Sequence, residues 1–243
     1  MSGCDMNRII QGLWIGAELS VMERLSIASF LAKGHEYHLY VYDDVKRVPE
    51  GALLCDANEI LHSSLIFQYK HSKSYAGFAN FFRYQLLLIK GGWWADTDVI
   101  CLRPFSFPDE HVFASEEHKG AQIANNGIIK APVASAMLSY ACQVCRSKDP
   151  EQLMWGETGP RLLDEAIRLF SLEKYSKPHQ VFCPLGFEEW SKVLDPCANL
   201  ALDEATYAVH LWNEMWRREA KDKNAQYHPD CLYEQLKREY LDQ

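Results

Sequence analysis

With 243 residues, 48 % of them hydrophobic and 24 % charged, the chain has the apolar material for a sizeable core. Its composition excludes a disordered, collagen-like or disulfide-stapled protein. A formal net charge of −8 argues against a general nucleic-acid binder, which needs a basic stripe to meet phosphate, yet leaves room for a small anionic nucleotide if carboxylates recruit a divalent cation.

No run approaches the roughly 20 apolar residues of a membrane helix, and the opening MSGCDMNRII has no apolar signal-peptide core, so a soluble, cytoplasmic protein is expected. The eight cysteines (Cys4, Cys55, Cys101, Cys142, Cys145, Cys183, Cys197, Cys231) are dispersed, which in such a chain favours reduced thiols. Cys142 and Cys145 form the only CxxC, and with no second pair they read as two small residues on a helix face rather than a zinc site.

Along the chain, Arg8–Ile15 is rich in β-branched and aromatic residues and predicts a first strand ending near Gly16. Apolar residues at Val21, Leu25, Ala28 and Leu31 then recur at helical steps, predicting an amphipathic helix over Leu19–Ala32. Tyr37–Tyr42 follows as a strand, and this β–α–β opening favours a parallel sheet. A short strand at Ala52–Leu54 and a turn at Asp56–Asn58 come next.

Tyr75–Lys90 predicts a helix stopped by Gly91–Gly92, with Phe78, Phe82, Leu86 and Ile89 as its apolar row and Asn80 and Arg83 together on another face. Trp93–Ala95 reads as a strand running into Asp96-Thr97-Asp98, followed by Val99–Leu102. Further strands are expected at Val112–Ala114, Gln122–Ile129 and Tyr207–Trp212, and helices at Val133–Cys145, Pro160–Phe170 and Pro229–Leu241. The expected architecture is α/β, with a mostly parallel central sheet flanked by helices in one domain spanning residues 1–243.

An Asp-x-Asp alone often does no more than solvate or cap a turn. Here a helix, two glycines and two tryptophans precede it, so Asp96 and Asp98 are expected at a strand end facing the crevice where α/β sheets bind ligands. FANFFRYQLLLIKGGWWADTDVICLRP resembles the DxD sugar-binding region of glycosyltransferase family 32, which includes capsular-polysaccharide-synthesis-like and alpha-1,4-glycosyltransferase-like members. IIQGLWIG, GETGP and VHLWNEMW resemble further elements of that family in the same order, so the likeness covers most of the chain.

The resemblance implies a GT-A fold and a retaining, metal-dependent glycosyltransferase. It would move a sugar from a nucleotide-diphosphate donor, usually a UDP-sugar, to a glycan or glycolipid, as in the biosynthesis of a surface polysaccharide. By resemblance Asp98 is the direct ligand of Mn²⁺ or Mg²⁺, Asp96 serves the ribose or the metal's water shell, and His210 completes the metal or diphosphate site, where the alternative is a core histidine. Trp14 is expected to stack on the nucleobase, with burial in the core as its alternative.

Asn80 and Arg83 stand where the family has an acidic residue and an arginine that contact donor-sugar hydroxyls, and Asn80 departs from the pattern by losing the charge. Arg83 has a structural salt bridge as its alternative. Asn125 and Asn126 are assigned to the sugar site or a turn, Trp216 to the donor site or to packing, and Glu157 and Thr158 to the acceptor or a helix start. Trp216–Lys223 (WRREAKDK) is read as a solvated helix face, although peripheral membrane contact is compatible with it. Two rivals remain at this point: a haloacid dehalogenase-like phosphatase, whose nucleophile motif is also Asp-x-Asp, and a non-catalytic nucleotide-sugar-binding module.

Overall fold

The computed structural model describes residues 8–200 and 202–241; Cys4 and most of the leading segment read for export lie outside the described residues. In chain order the first half contains β1 (Ile9–Trp14), α1 (Val21–Ala32), β2 (Glu36–Val41), β3 (Leu53–Asp56), α2 (Ala76–Lys90), β4 (Gly92–Ala95) and β5 (Val99–Cys101). The second half contains β6 (Val112–His118), β7 (Ala121–Ala131), α3 (Ala136–Ser147), α4 (Pro160–Leu169), α5 (His179–Phe182), β8 (Ala208–His210), α6 (Asn213–Arg218) and α7 (Leu232–Tyr240).

Six strands form one sheet in the order β3-β2-β1-β4-β7-β6. The pairs β3–β2, β2–β1 and β1–β4 are parallel, while β7 runs antiparallel to both β4 and β6. The result is the mostly parallel, helix-flanked α/β sheet that the sequence predicts. From β1 the chain builds outward through β2 and β3, then returns to lay β4 on the other side of β1. The order therefore reverses between β1 and β4, and the crevice beyond their C-terminal ends is where open α/β sheets receive ligands. Trp14 ends β1 and Asp96 follows β4, so both stand at that edge.

Local chemistry explains how these elements start and stop. Ser20 and Glu23 form a reciprocal capping box on α1, with the Ser20 amide donating to Glu23 Oε2 at 2.8 Å. Gly91 ends α2 at φ 65°, and a Cβ there would lie 2.8 Å from the Val133 amide nitrogen, so glycine alone permits the turn into β4. Alternation along β4 then sends Trp93 and Trp94 to opposite faces of the sheet. Trp94 packs with Phe82, Leu86 and Phe113 on the side of α2, α3 and α4, whereas Trp93 packs with Phe30, Phe105 and Phe182 on the side of α1 and α5.

The third apolar cluster lies beneath the two-stranded β5–β8 ribbon, where Trp190, Trp216, Tyr233 and Leu236 meet. Two expectations shift. Ile89 is exposed and Leu87 takes its place in the buried row of α2, because the apolar stripe turns with the helical period. Strand β6 runs on to His118, beyond the apolar residues that marked its start, since polar Ser115 and Glu116 are buried in the sheet.

Candidate active site

Asp96, Asp98 and His210 each offer a ligand atom, and these atoms all lie within 4.8 Å of one another. The sheet and the ribbon bring them together. The Asp96 amide donates to the Gly127 carbonyl at 2.8 Å, which extends the β4–β7 edge by one residue. Strand β5 starts at Val99 and pairs with β8 so that Val99 faces His210. The Leu211 amide donates to the Asp98 carbonyl at 2.9 Å and fixes the backbone on both sides of the cluster.

The two aspartates have different partners. Asp96 Oδ1 accepts from Trp94 Nε1 at 2.8 Å and lies 3.0 Å from Arg83 Nη1. Burial pushes the Asp96 carboxyl up, Arg83 works against that rise, and the neighbouring Asp98 adds to it. Asp98 Oδ2 accepts from the Asn213 amide at 2.8 Å and lies 3.2 Å from His210 Nε2. Burial alone would raise the Asp98 carboxyl as well, but the His210 charge, the bond to His210 and the Asn213 amide together hold it below the ordinary range.

For His210 burial disfavours the charged form, yet Asp98 outweighs it and the imidazole is raised well above its usual value. Its Nδ1 makes no well-formed hydrogen bond, with the Cys183 thiol as a neighbouring group. The Trp212 ring lies 4.0 Å from the imidazole, and its left-handed backbone (φ 57°) turns the chain so that the Asn213 amide points at Asp98.

Two carboxylates and an imidazole are a hard-to-intermediate donor set suited to a divalent cation. Gly127 keeps the space between them open. A Cβ at this position would stand 3.4 Å from Asp96 Oδ2, 3.4 Å from His210 Cε1 and 2.9 Å from Asn125 Oδ1. The residues present therefore fit a bound metal, with Asp96, Asp98 and His210 as the groups that would hold it.

Around this cluster the other candidates separate. Arg83 is almost fully buried; it donates to the Asn126 carbonyl and lies 5.0 Å over the Trp94 ring, so its structural alternative is realised through Asp96 and Asn126. Asn80 Oδ1 accepts from Asn126 Nδ2 at 2.7 Å, and the pair lies against Gly159, where a Cβ would come within 2.9 Å of Asn80 Nδ2. Asn125 Oδ1 accepts from the Gly127 amide at 2.8 Å, holding the strand end in place. Trp14 is half-buried, with its Nε1 enclosed and without a hydrogen-bond partner.

Trp216 requires correction as a donor contact. It is fully buried, its Nε1 donates to the Leu211 carbonyl at 2.8 Å, and it supports the His210 segment from below. Glu157 is engaged in its own turn, accepting from the Met154 amide at 3.1 Å and pairing with Lys148 at 2.5 Å. Thr158 is buried beside the Tyr69 hydroxyl.

Three contributors escape a reading of side-chain motifs. Asn213 acts through its backbone. Gly127 acts by having no Cβ, and the Asn-Asn-Gly triplet was its only signal. Glu116 is a buried carboxylate on β6 that receives a bond from the Asn125 side chain, and burial pushes its pKa up while His210 opposes the shift.

Comparison with known proteins agrees with this geometry. Residues 22–118 match the glycosyltransferase sugar-binding region containing DXD motif, and residues 151–240 match the alpha 1,4-glycosyltransferase conserved region. A human alpha-1,4-N-acetylglucosaminyltransferase is 25 % identical over 185 residues, covering 71 % of this chain and 51 % of that protein, so the chain spans about half the length of this relative. Among solved structures, the PaToxG glycosyltransferase superposes with a TM-score of 0.47 at 16 % identity, over 69 % of this chain and 74 % of that one. GlyE of Streptococcus pneumoniae TIGR4 gives 0.44 at 15 % identity, over 71 % and 45 %. Neither the phosphatase nor the binding-module alternative gains support from these matches. The two matched regions follow one another along most of the chain, and the Asp96 and Asp98 carboxylates of the first stand at the sheet's switch point.

Proposed function

We propose that this chain is a retaining hexosyltransferase that binds a UDP-sugar through Mn²⁺ and transfers the sugar to a hydroxyl of a glycan or glycolipid. The observation that carries the reading is the Asp96–Asp98–His210 cluster, kept open by Gly127 at the crevice between β1 and β4. A divalent cation held there would supply positive charge to the diphosphate as it leaves.

The chain's own residues divide the remaining work. Asp98, held ionised by His210 and the Asn213 amide, presents its carboxylate to the metal. Asp96 is oriented by Arg83 and the Trp94 indole toward the metal or the ribose. Trp14, at the end of β1, offers an indole face to the uracil. The interlocked Asn80 and Asn126 amides and Asn125 provide donors and acceptors for the sugar hydroxyls. Retention follows the family resemblance.

The relative's name makes UDP-N-acetylglucosamine the first donor to test. We expect metal-dependent release of UDP from it or from another UDP-sugar in a donor panel, and an α-anomer in the proton NMR spectrum of the first transfer product. No metal-dependent turnover or binding of any UDP-sugar would refute the assignment, and an inverted product would remove retention alone.

A further inference from the structure

Lys223 ends the charged run that the sequence presents as a solvated helix face, but its side chain is only 21 % exposed. Its ammonium pairs with Glu23, whose carboxylate is 1 % exposed, and lies 5.7 Å over the Trp14 ring. The surrounding backbone is pinned: the Lys223 carbonyl accepts from the Tyr233 hydroxyl at 2.7 Å, and the adjacent Asn224 Oδ1 accepts from the Val21 amide at 3.0 Å. One turn along α1 from Glu23, the Ser26 hydroxyl donates to the carbonyl of Val99, the residue after Asp98, at 2.6 Å.

These contacts hold one cation over the Trp14 ring and beside the stretch of α1 that is bonded to the start of β5, next to Asp98. A nucleoside diphosphate with its base on Trp14 would bring its phosphates within reach of this ammonium. We infer that Lys223 binds the phosphate oxygens of the nucleoside diphosphate, with Glu23 holding the ammonium in position. The inference rests on the function proposed above. An ammonium has three donors, and pairing with Glu23 leaves donors for an anionic ligand. Glu23 is itself immobilised, since its Oε2 accepts from the Ser20 amide in the capping box. The start of α1 and the C-terminal segment are thereby tied together at one ion pair.

Because Lys223→Gln leaves the buried Glu23 unpaired, the decisive variant is Glu23→Gln/Lys223→Gln, which removes both charges, with Lys223→Arg keeping the positive one. The probes are UDP with and without Mn²⁺, by calorimetry, and uridine, by ligand-observed NMR. We expect the folded double variant to bind UDP at least about tenfold more weakly in both metal conditions and uridine as the wild type does, and Lys223→Arg to recover most of the loss. A folded double variant, or a folded Lys223→Gln protein, with wild-type UDP affinity would overturn the inference and leave the proposed function standing. Failure of the wild type to bind UDP with Mn²⁺ would overturn both.

Discussion

Replacing Asp98 by Asn tests the proposed site at its centre. Asp98 Oδ2 serves the Asn213 amide at 2.8 Å and His210 Nε2 at 3.2 Å, so an asparagine must turn its only oxygen toward these two donors and its amino group toward the metal position. The metal loses an anionic ligand and meets a donor instead. Breaking a buried ion pair costs about 3–5 kcal/mol when the partner charge is stranded. His210 avoids that outcome by releasing its proton, so the stability loss near neutral pH should fall to about 1–3 kcal/mol, the range of one charge-assisted hydrogen bond. Turnover should fall by about a hundred- to thousandfold, equivalent to ~3–4 kcal/mol of transition-state stabilisation. Calorimetric titration of Mn²⁺ and UDP, donor-hydrolysis rates and urea unfolding measure the three quantities. Asp56→Asn is the control: Asp56 is exposed and caps a local turn through Asn58, outside the cluster. A folded Asp98→Asn protein with near-normal, metal-stimulated turnover would refute the reasoning.

Trp14→Ala should weaken UDP binding by ~1–3 kcal/mol, the worth of a base–aromatic stack, while Trp14→Phe retains much of the affinity; unchanged calorimetric affinity in folded Trp14→Ala would return Trp14 to the core. Gly127→Ala places a methyl 3.4 Å from Asp96 Oδ2 and His210 Cε1 and 2.9 Å from Asn125 Oδ1, so metal affinity should drop with an overpacking cost of about 1–3 kcal/mol; a metal titration matching wild type would show that the gap is not the cradle. In metal-free protein the raised His210 contributes stability that is fully present below its usual value of 6.5 and lost as pH rises through its higher folded value. Urea unfolding of wild type and His210→Gln across about pH 5–10 should therefore show the variant lacking this alkaline loss, and parallel pH profiles would contradict the pairing with Asp98.

The strands and helices that position the site were legible wherever periodicity and punctuation agreed. Gly91 after α2 and Pro160 at the head of α4 mark ends that depend on local backbone chemistry, whereas the periodicity predicts α1 from Leu19 and the Ser20 cap starts it at Val21. The antiparallel placement of β7 between β4 and β6 was not legible, because alternation along a strand says nothing of its neighbours' direction. Asp96 and Asp98 stood out by their setting at a strand end, and His210 by the segment around it. Trp216 misled for a physical reason: a tryptophan two turns beyond a ligand-bearing strand serves equally to stack on a ligand or to brace the strand, and only its buried bond to Leu211 distinguishes the two. Lys223 was hidden for the converse reason. A lysine in WRREAKDK looks like its neighbours until the fold brings Glu23, 200 residues earlier in the chain, against it.

An acidic protein that binds a diphosphate must reverse its own field locally, and the arrangement of charges shows how this chain would do so. Asp96 is opposed by Arg83, Asp98 by His210, and Glu23 by Lys223, so three of the carboxylates at the site are each met by a cationic partner. The partners differ in what they can give up. Arg83 is locked between Asp96, the Asn126 carbonyl and the Trp94 face. His210, raised by Asp98, could release its proton in favour of a divalent cation held beside Asp98, which would exchange one positive charge for two. The Lys223 ammonium has donors beyond the one that meets Glu23. The −8 of the whole chain thus leaves room for the proposed anionic donor, because a cationic side chain stands beside each of Asp96, Asp98 and Glu23.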